Sequence, residues 1–311
     1  VIRWILAGVG TAVAIAMVPL ALSFAPAKLE LSSVDVGDLP LASPPPDMSI
    51  SALPTGTYQA LAALMYRGGS WTDTRHLAAT AVLVRHPKGN LLIDAGFGRN
   101  IDEHMKLIPS IQRSAHQNGI PAADQLAAGG ISVSNVAAVI PTHTHWDHIS
   151  GLDDLRGVPV METDAGRRWI GSRPTGTEVI NSLRDVNYTH YDFEGGPYLG
   201  FPRSHDVWGD GSVVIVQAPA HTPDSVAVFV NVPSGTRYAF IGDLVFQSEG
   251  IRIPAEKPWM LRRLIGENNA EVHKGIALIR SAIRKFPQIH AIPAHDNAAF
   301  GELPSFPASA S

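Results

Sequence analysis

The segment Pro141-Thr142-His143-Thr144-His145-Trp146-Asp147-His148 constrains this chain more than any other. Three imidazoles and a carboxylate follow directly on the apolar run VAAVI, Val136 to Ile140. Such a run reads as a strand that ends where the polar residues begin. In an extended chain His143, His145 and Asp147 share one side by alternation, and a turn after Asp147 brings His148 around toward the same space. Four such groups packed together without a cation repel one another or need separate partners. One short loop of this composition is therefore suited to supplying two adjacent metal ions.

Three later positions share that context: His221 in APAHTP, Asp243 in FIGD and His295 in IPAHD each follow a short apolar run. Ligands placed at strand ends can converge from distant parts of a chain onto one face of a sheet. The chain has no cysteine, which excludes thiolate ligands, disulfides, a cysteine nucleophile and a lipidated cysteine. Imidazole nitrogen and carboxylate oxygen suit zinc, and the same donors accept iron or manganese. Two metals sharing a water lower its pKa toward neutrality and so supply hydroxide as a nucleophile. One of them can also polarise a carbonyl and receive the developing oxyanion. Asp147, beside that water, is the candidate for positioning it and passing a proton to the leaving group.

With 311 residues, 45% hydrophobic and 17% charged, the chain can bury a sizeable core. A net charge of −4 without a Lys/Arg run gives no attraction for a phosphate backbone, so no nucleic-acid partner is expected. From Trp4 to Phe24 there is no charge, with Arg3 before the run and Lys28 after it. The run is long enough to span a bilayer. It also has the order of a secretory signal ending in Ala25-Pro26-Ala27. Residues 1–27 are accordingly a signal peptide or a membrane anchor, and either reading places the rest outside the cytoplasm, periplasmic, secreted or tethered to a membrane. Residues 28–47, ending in Ser43-Pro44-Pro45-Pro46, read as a Pro-rich linker. One catalytic domain follows over 48–305, with a flexible tail at 306–311.

Within that domain, ATAVLVR (Ala79 to Arg85) and LLID (Leu91 to Asp94) flank His86-Pro87-Lys88-Gly89-Asn90, a hairpin pattern. Further strands are expected at Val136 to Ile140, Ser212 to Gln217, Val226 to Val232 and Tyr238 to Ile241, and helical spacing runs from Arg262 to Phe286. Trp71 and His76 read as loop packing. Tyr188, His190 and Tyr191, between His148 and His221, read either as substrate contacts or as a covering loop.

At this point the sequence resembles the metallo-β-lactamase superfamily, whose H-x-H-x-D-H signature is matched by His143, His145, Asp147 and His148. The resemblance extends to LLIDAG with Asp94 and Gly96, the HTP turn at His221, the GD at Asp243 and the late AHD at His295. It implies an α/β fold, a four-layer αββα sandwich, with two zinc ions as cofactors and a small-molecule substrate. By the same resemblance His143, His145 and His221 hold the first metal, Asp147, His148 and His295 hold the second, and Asp243 bridges them. Asp94 either orients a ligand or caps a turn at its strand end.

Within the superfamily the chain looks nearest to lactonase-like and glyoxalase II-like members. In the acyl-homoserine lactonase branch a tyrosine three residues after the bridging aspartate helps hold the substrate carbonyl, and here Phe246 stands there. The 22-residue interval from His221 to Asp243, and the segment 206–212, look like lactonase-related members. Ala220 and Asp224 occupy places where glycines are usual in the family. β-Lactamases of this fold lack an aspartate at the Asp243 place, and one major class needs a cysteine. Basic residues from Arg262 to Lys285, where glyoxalase-type enzymes bind glutathione, read as a solvated helix face. The resemblance implies hydrolysis of a lactone, ester or thioester. The alternatives are an iron-dependent oxidoreductase resembling persulfide dioxygenases, and a noncatalytic metal-binding module, which would be expected to have lost ligands. His205, His273 and His290 stand outside the seven.

Overall fold

A computed structural model describes residues 18–311. Most of the run read as signal or anchor, residues 4–17, lies outside the described residues. Among the described residues no helix is long and apolar enough to cross a membrane.

The strands are β1 (Ser49–Leu61), β2 (Thr74–Arg85), β3 (Asn90–Ile93), β4 (His116–Asn118), β5 (Val136–Ile140), β6 (Val160–Glu162), β7 (Tyr188–His190), β8 (Ser204–Asp206), β9 (Val213–Gln217), β10 (Val226–Asn231), β11 (Arg237–Phe240) and β12 (Ile289–Ile292). They form a seven-stranded sheet in the order β4-β1-β2-β3-β5-β6-β7 and a five-stranded sheet in the order β12-β11-β10-β9-β8. β2 and β3 pair antiparallel across the expected turn, while β3/β5 and β11/β12 are parallel pairs.

Alternation along the strands explains the layering, because successive side chains face opposite ways. Val82, Val84, Leu91 and Ile140 meet Ile215, Val228, Val230 and Phe240 between the two sheets. The intervening Leu83, Leu92 and Val139 face outward, onto Ile101, Leu126 and Ile170 of the helices Ile101–Leu107, Ala122–Ala128 and Asp164–Gly171. On the other side Val214, Val216 and Phe229 pack on Val272, Ile276 and Ile279 of the helix Asn269–Lys285. Helices, sheet, sheet and helices make the four-layer metallo-β-lactamase architecture, with buried side chains such as Phe229 contributing about 2–3 kcal/mol each.

One expectation is corrected. The helical pattern from Arg262 to Phe286 is two helices, Trp259–Ile265 and Asn269–Lys285. Gly266, at φ +86°, ends the first in the left-handed region, and the Asn268 side chain caps the second by accepting from Ala270 and Glu271 N–H. Residues 28–47, expected as a Pro-rich linker, lie along the domain as a strap. Val36 is buried against the outer helical layer, Val34 N–H donates to Ser281 Oγ at 3.0 Å, and Arg237 holds Pro40 O at 2.8 Å. Apolar residues spaced through it, Leu29, Leu31, Val36 and Leu39, find that layer and keep it down. The tail at 306–311 lies against β1, where Ala310 and Ile50 exchange backbone hydrogen bonds of 2.8 and 2.9 Å and Ser51 Oγ donates to Ala308 O at 2.7 Å. It covers an otherwise open stretch of β1.

Candidate metal centre

The seven residues arrive from both sheets at one end of the sandwich. His143 and His145 lie in the loop after β5, His221 follows β9, Asp243 follows β11 and His295 follows β12. The loop is not extended as far as expected. His145 has extended backbone, but Trp146–Ile149 is a short helix. The change from strand alternation to helical rotation at Trp146 separates the signature, sending His143 and His145 to one group and Asp147 and His148 to another.

The first group comprises His143, His145, His221 and Asp243, and the second Asp147, His148 and His295. Within the first, His145 Nδ1 and His221 Nε2 face each other at 3.0 Å. Asp243 stands between the groups. Its Oδ2 faces His221 Nε2 at 3.3 Å and His143 Nε2 at 3.8 Å, while its Oδ1 faces His295 Nε2 at 2.9 Å and His148 Nε2 at 3.4 Å. The 2.9 Å approach lacks the alignment of a hydrogen bond, and Nε2 of His143, His148 and His295 and Oδ1 of Asp243 are buried without a hydrogen-bond partner among the described residues. Leaving four polar atoms unsatisfied at one point is costly. Imidazole nitrogens and carboxylate oxygens converging in this way are the donor set of divalent metal ions, and the residues fit such ions.

Burial and the facing imidazoles depress the pKa of His143 and His145 far below the usual histidine range. Both are therefore neutral, with a nitrogen lone pair to offer. At His148 burial opposes charge, but Asp94, Asp243 and Asp147 outweigh it and raise the pKa well above that range.

The far nitrogens are also held. His148 Nδ1 meets Asp94 Oδ2 at 2.8 Å, His295 Nδ1 meets Ala78 O at 2.9 Å, and His221 Nδ1 meets Glu267 Oε1 at 2.6 Å. Each contact fixes a ring and its tautomer. Asp94 also accepts from Thr142 N at 2.6 Å and Thr142 Oγ1 at 3.0 Å. It does so from φ +57°, a strained position for a residue with a side chain. Asp94 thus orients a histidine of the centre and ties down the turn as well. Asp224 accepts from Thr144 N at 3.1 Å and Thr144 Oγ1 at 2.6 Å, joining the His221 loop to the signature loop.

Tyr58, Lys257 and Glu267 also reach the centre, although no motif points to them. Tyr58 OH donates to Asp147 Oδ2 at 2.8 Å, and burial together with Asp147 and Asp243 drives its pKa far upward, so the phenol keeps its proton. Lys257 is buried, donates to Asp243 O at 2.5 Å and is paired with Glu267. Glu267 reaches His221 from the break between the two helices at Gly266, and a glycine inside a helical pattern was the one available signal for it. Phe246 packs against the His221 and His295 rings at centroid distances of 6.0 and 5.6 Å.

A cleft of about 200 Å³ opens onto His145, Asp147, His221 and Asp243, walled by Tyr58, Ala60, Leu64, Leu77, Trp146, Phe246, Leu261 and Leu264. Tyr188, His190 and Tyr191 are not in its wall. Tyr188 lies under Arg167, His190 pairs with Asp164 and Asp192, and Tyr191 packs between the sheets. Trp71 stacks on Phe24, and His76 is exposed. His273 pairs with Glu256, His290 with Glu302, and His205 lies beside Tyr191, all outside the two groups.

The sequence profile of the metallo-beta-lactamase superfamily matches residues 74–288. A probable metallo-hydrolase of Mycobacterium tuberculosis is 26% identical over 234 residues, 71% of this chain and 75% of that protein. An N-acyl homoserine lactonase of Azorhizobium caulinodans is 24% identical over 172 residues, 49% of this chain and 59% of the lactonase. Among solved structures, an N-acyl homoserine lactone hydrolase with N-hexanoyl-L-homoserine at its catalytic metal center superposes with a TM-score of 0.66 at 15% identity, covering 84% of this chain and 98% of its own. The dizinc quorum-quenching lactonase AidC gives 0.53 at 14% identity, covering 89% and 94%. With a family profile spanning more than half of its length and the four-layer fold around the His/Asp groups, this chain belongs to the metallo-beta-lactamase superfamily.

Proposed function

We propose that the chain is a binuclear metal-dependent hydrolase of lactones, esters or thioesters, with zinc at both positions. In this reading His143, His145 and His221 hold one ion, Asp147, His148 and His295 hold the other, and Asp243 lies between them. The observation that carries it is Asp243, whose two carboxylate oxygens each face a different set of imidazoles. When bound, such a pair of metals supplies an acidified water as nucleophile and a Lewis acid for the substrate carbonyl.

The protein's own groups do the rest. Asp147 takes the proton released as water attacks and returns it to the leaving oxygen or sulfur. Tyr58 fixes that carboxylate by donating to it and stays protonated itself. Asp94, Ala78 O and Glu267 hold the histidine tautomers that leave Nε2 free for a metal. The apolar cleft wall excludes water and accepts the hydrocarbon part of a substrate.

The test is hydrolysis by the zinc-loaded chain of matched lactone, ester and thioester substrates of increasing acyl length. Turnover that rises with acyl length and is lost in Asp147→Ala supports the reading. Oxygen uptake by an iron-loaded chain that hydrolyses none of the panel would replace it with an oxidoreductase.

A further inference from the structure

We propose that the mouth of the cleft faces a lipid bilayer: residues 18–27 stay on the working chain, and the membrane entered by the run Trp4 to Phe24 lies against the cleft rim. The argument starts from how the end of that run is held. Residues 18–24 are helical, and Val18 and Leu22, one turn apart, both stand exposed. The next residues dock on the domain. Ser23 is fully buried and its Oγ accepts from Met260 N at 3.0 Å, Phe24 O accepts from Gly68 N at 3.0 Å, and Arg67 donates to Leu22 O and Ala25 O at 3.0 and 3.1 Å. Phe24 also packs on Trp71, with ring centroids 4.8 Å apart. A peptidase cut after Ala27 would remove all of these contacts and take away the partners of Trp71 and the Met260 N–H. A segment built into the domain in this way is not built to be discarded.

The docking point is the rim of the cleft. Met260 belongs to the helix Trp259–Ile265, and Leu264, one turn on along the same face, lines the cleft beside Ile111. Among the described residues Leu22, Trp71, Met260, Leu264 and Ile111 are 57, 55, 40, 48 and 78% exposed, which makes an exposed apolar surface leading from the end of the apolar run to the opening. Arg263 extends over the Trp259 ring at 5.6 Å, a pairing of aromatic body and charged tip suited to the headgroup level. A chain whose uncharged 21-residue run, Trp4 to Phe24, ends on this surface has its occupant at hand. The apolar part of a substrate then enters the cleft from the bilayer. That last step rests on the hydrolase reading, whereas the position of the rim does not.

The absence of cysteine provides a direct test on the full chain. Met260→Cys carries a nitroxide at the rim, and Ser234→Cys carries one on the exposed turn between β10 and β11, away from the strand ends that hold the centre. In phosphatidylcholine vesicles the label at 260 is expected to respond more to membrane-dissolved oxygen than to a water-soluble nickel chelate, and the label at 234 the reverse. The intact mass of the membrane-isolated chain is expected to include residues 18–27. A label at 260 as open to nickel as the one at 234, a label shielded from both reagents by a second copy, or a mass lacking residues 18–27 would each overturn the proposal. Hydrolysis of a soluble short-chain ester by the same samples is read separately. Its failure counts against the hydrolase reading and leaves the depth result standing.

Discussion

Asp94→Asn isolates the contribution of a single proton position. The Asp94 carboxylate only accepts, so in the metal-loaded chain, where His148 gives up its second proton, the remaining proton sits on Nδ1 and Nε2, on the Asp243 side, would offer its lone pair. An asparagine that keeps its oxygen on Thr142 N must turn its amide toward His148. Nδ1 then accepts, the proton moves to Nε2, and that nitrogen is blocked as a ligand. The opposite flip sets an amide donor against Thr142 N–H inside the protein, at about 1–3 kcal/mol. Loss of such an orienting carboxylate lowers metal affinity by roughly 10–100-fold, about 1.4–2.7 kcal/mol. Competition against a fluorescent zinc chelator measures this, with thermal melting as the check that the fold is retained. Because the effect passes through His148, Asp94→Asn combined with His148→Ala is expected to bind no more weakly than His148→Ala alone. Affinity within twofold of the native chain, or additive losses in the double variant, would refute the tautomer argument.

Tyr58→Phe removes the hydrogen bond to Asp147 while keeping the ring between Trp146 and His295. Turnover of the zinc-loaded chain is expected to fall roughly tenfold, the cost of one charge-assisted hydrogen bond of about 1.4 kcal/mol, with KM nearly unchanged in steady-state assays. Lys257→Met leaves Glu267 buried without its cation, and a loss of about 3–5 kcal/mol in urea unfolding is expected, largely recovered in Lys257→Met/Glu267→Met. Glu162 is held near a pKa of about 8 by burial and by the neighbouring Asp224. Its folded pKa lies above the ordinary carboxylate value, so its contribution is intact below about 4.5 and is lost as pH rises through 8. Melting curves of Glu162→Gln are expected to lose that part of the decline between these pH values, and an unchanged pH dependence would refute the assignment.

The part of the centre that the sequence disclosed is the part compressed into a few neighbouring residues. His143, His145, Asp147 and His148 announce themselves because repulsion makes such a cluster costly without a cation, and His221, Asp243 and His295 because each ends an apolar run. Tyr58 lies within β1, whose sequence SISALPTGTYQAL is interrupted by Pro54 and Gly56, residues that weaken a strand pattern. The strand passes through that point with a shift of register. Gly56 is needed there because a Cβ would lie 2.5 Å from the Phe97 ring and 2.6 Å from Gln117 O. Lys257 and Glu267 were hidden for a different reason: lone charged residues in loops have no period, and only the folded chain brings them under Asp243 and His221. The seating of residues 28–47 and 306–311 is not legible in composition, which describes a segment by itself, whereas their contacts come from the helical layer and the edge of β1 that receive them.

The central claim is that one carboxylate, Asp243, stands between two metal positions, and metal stoichiometry of the purified full chain tests it most directly. Elemental analysis after zinc loading and removal of loose metal is expected to give two ions per chain, dropping to one or fewer in Asp243→Ala with circular dichroism unchanged. A native chain that retains a single ion, or an Asp243→Ala chain that still holds two, would contradict the account.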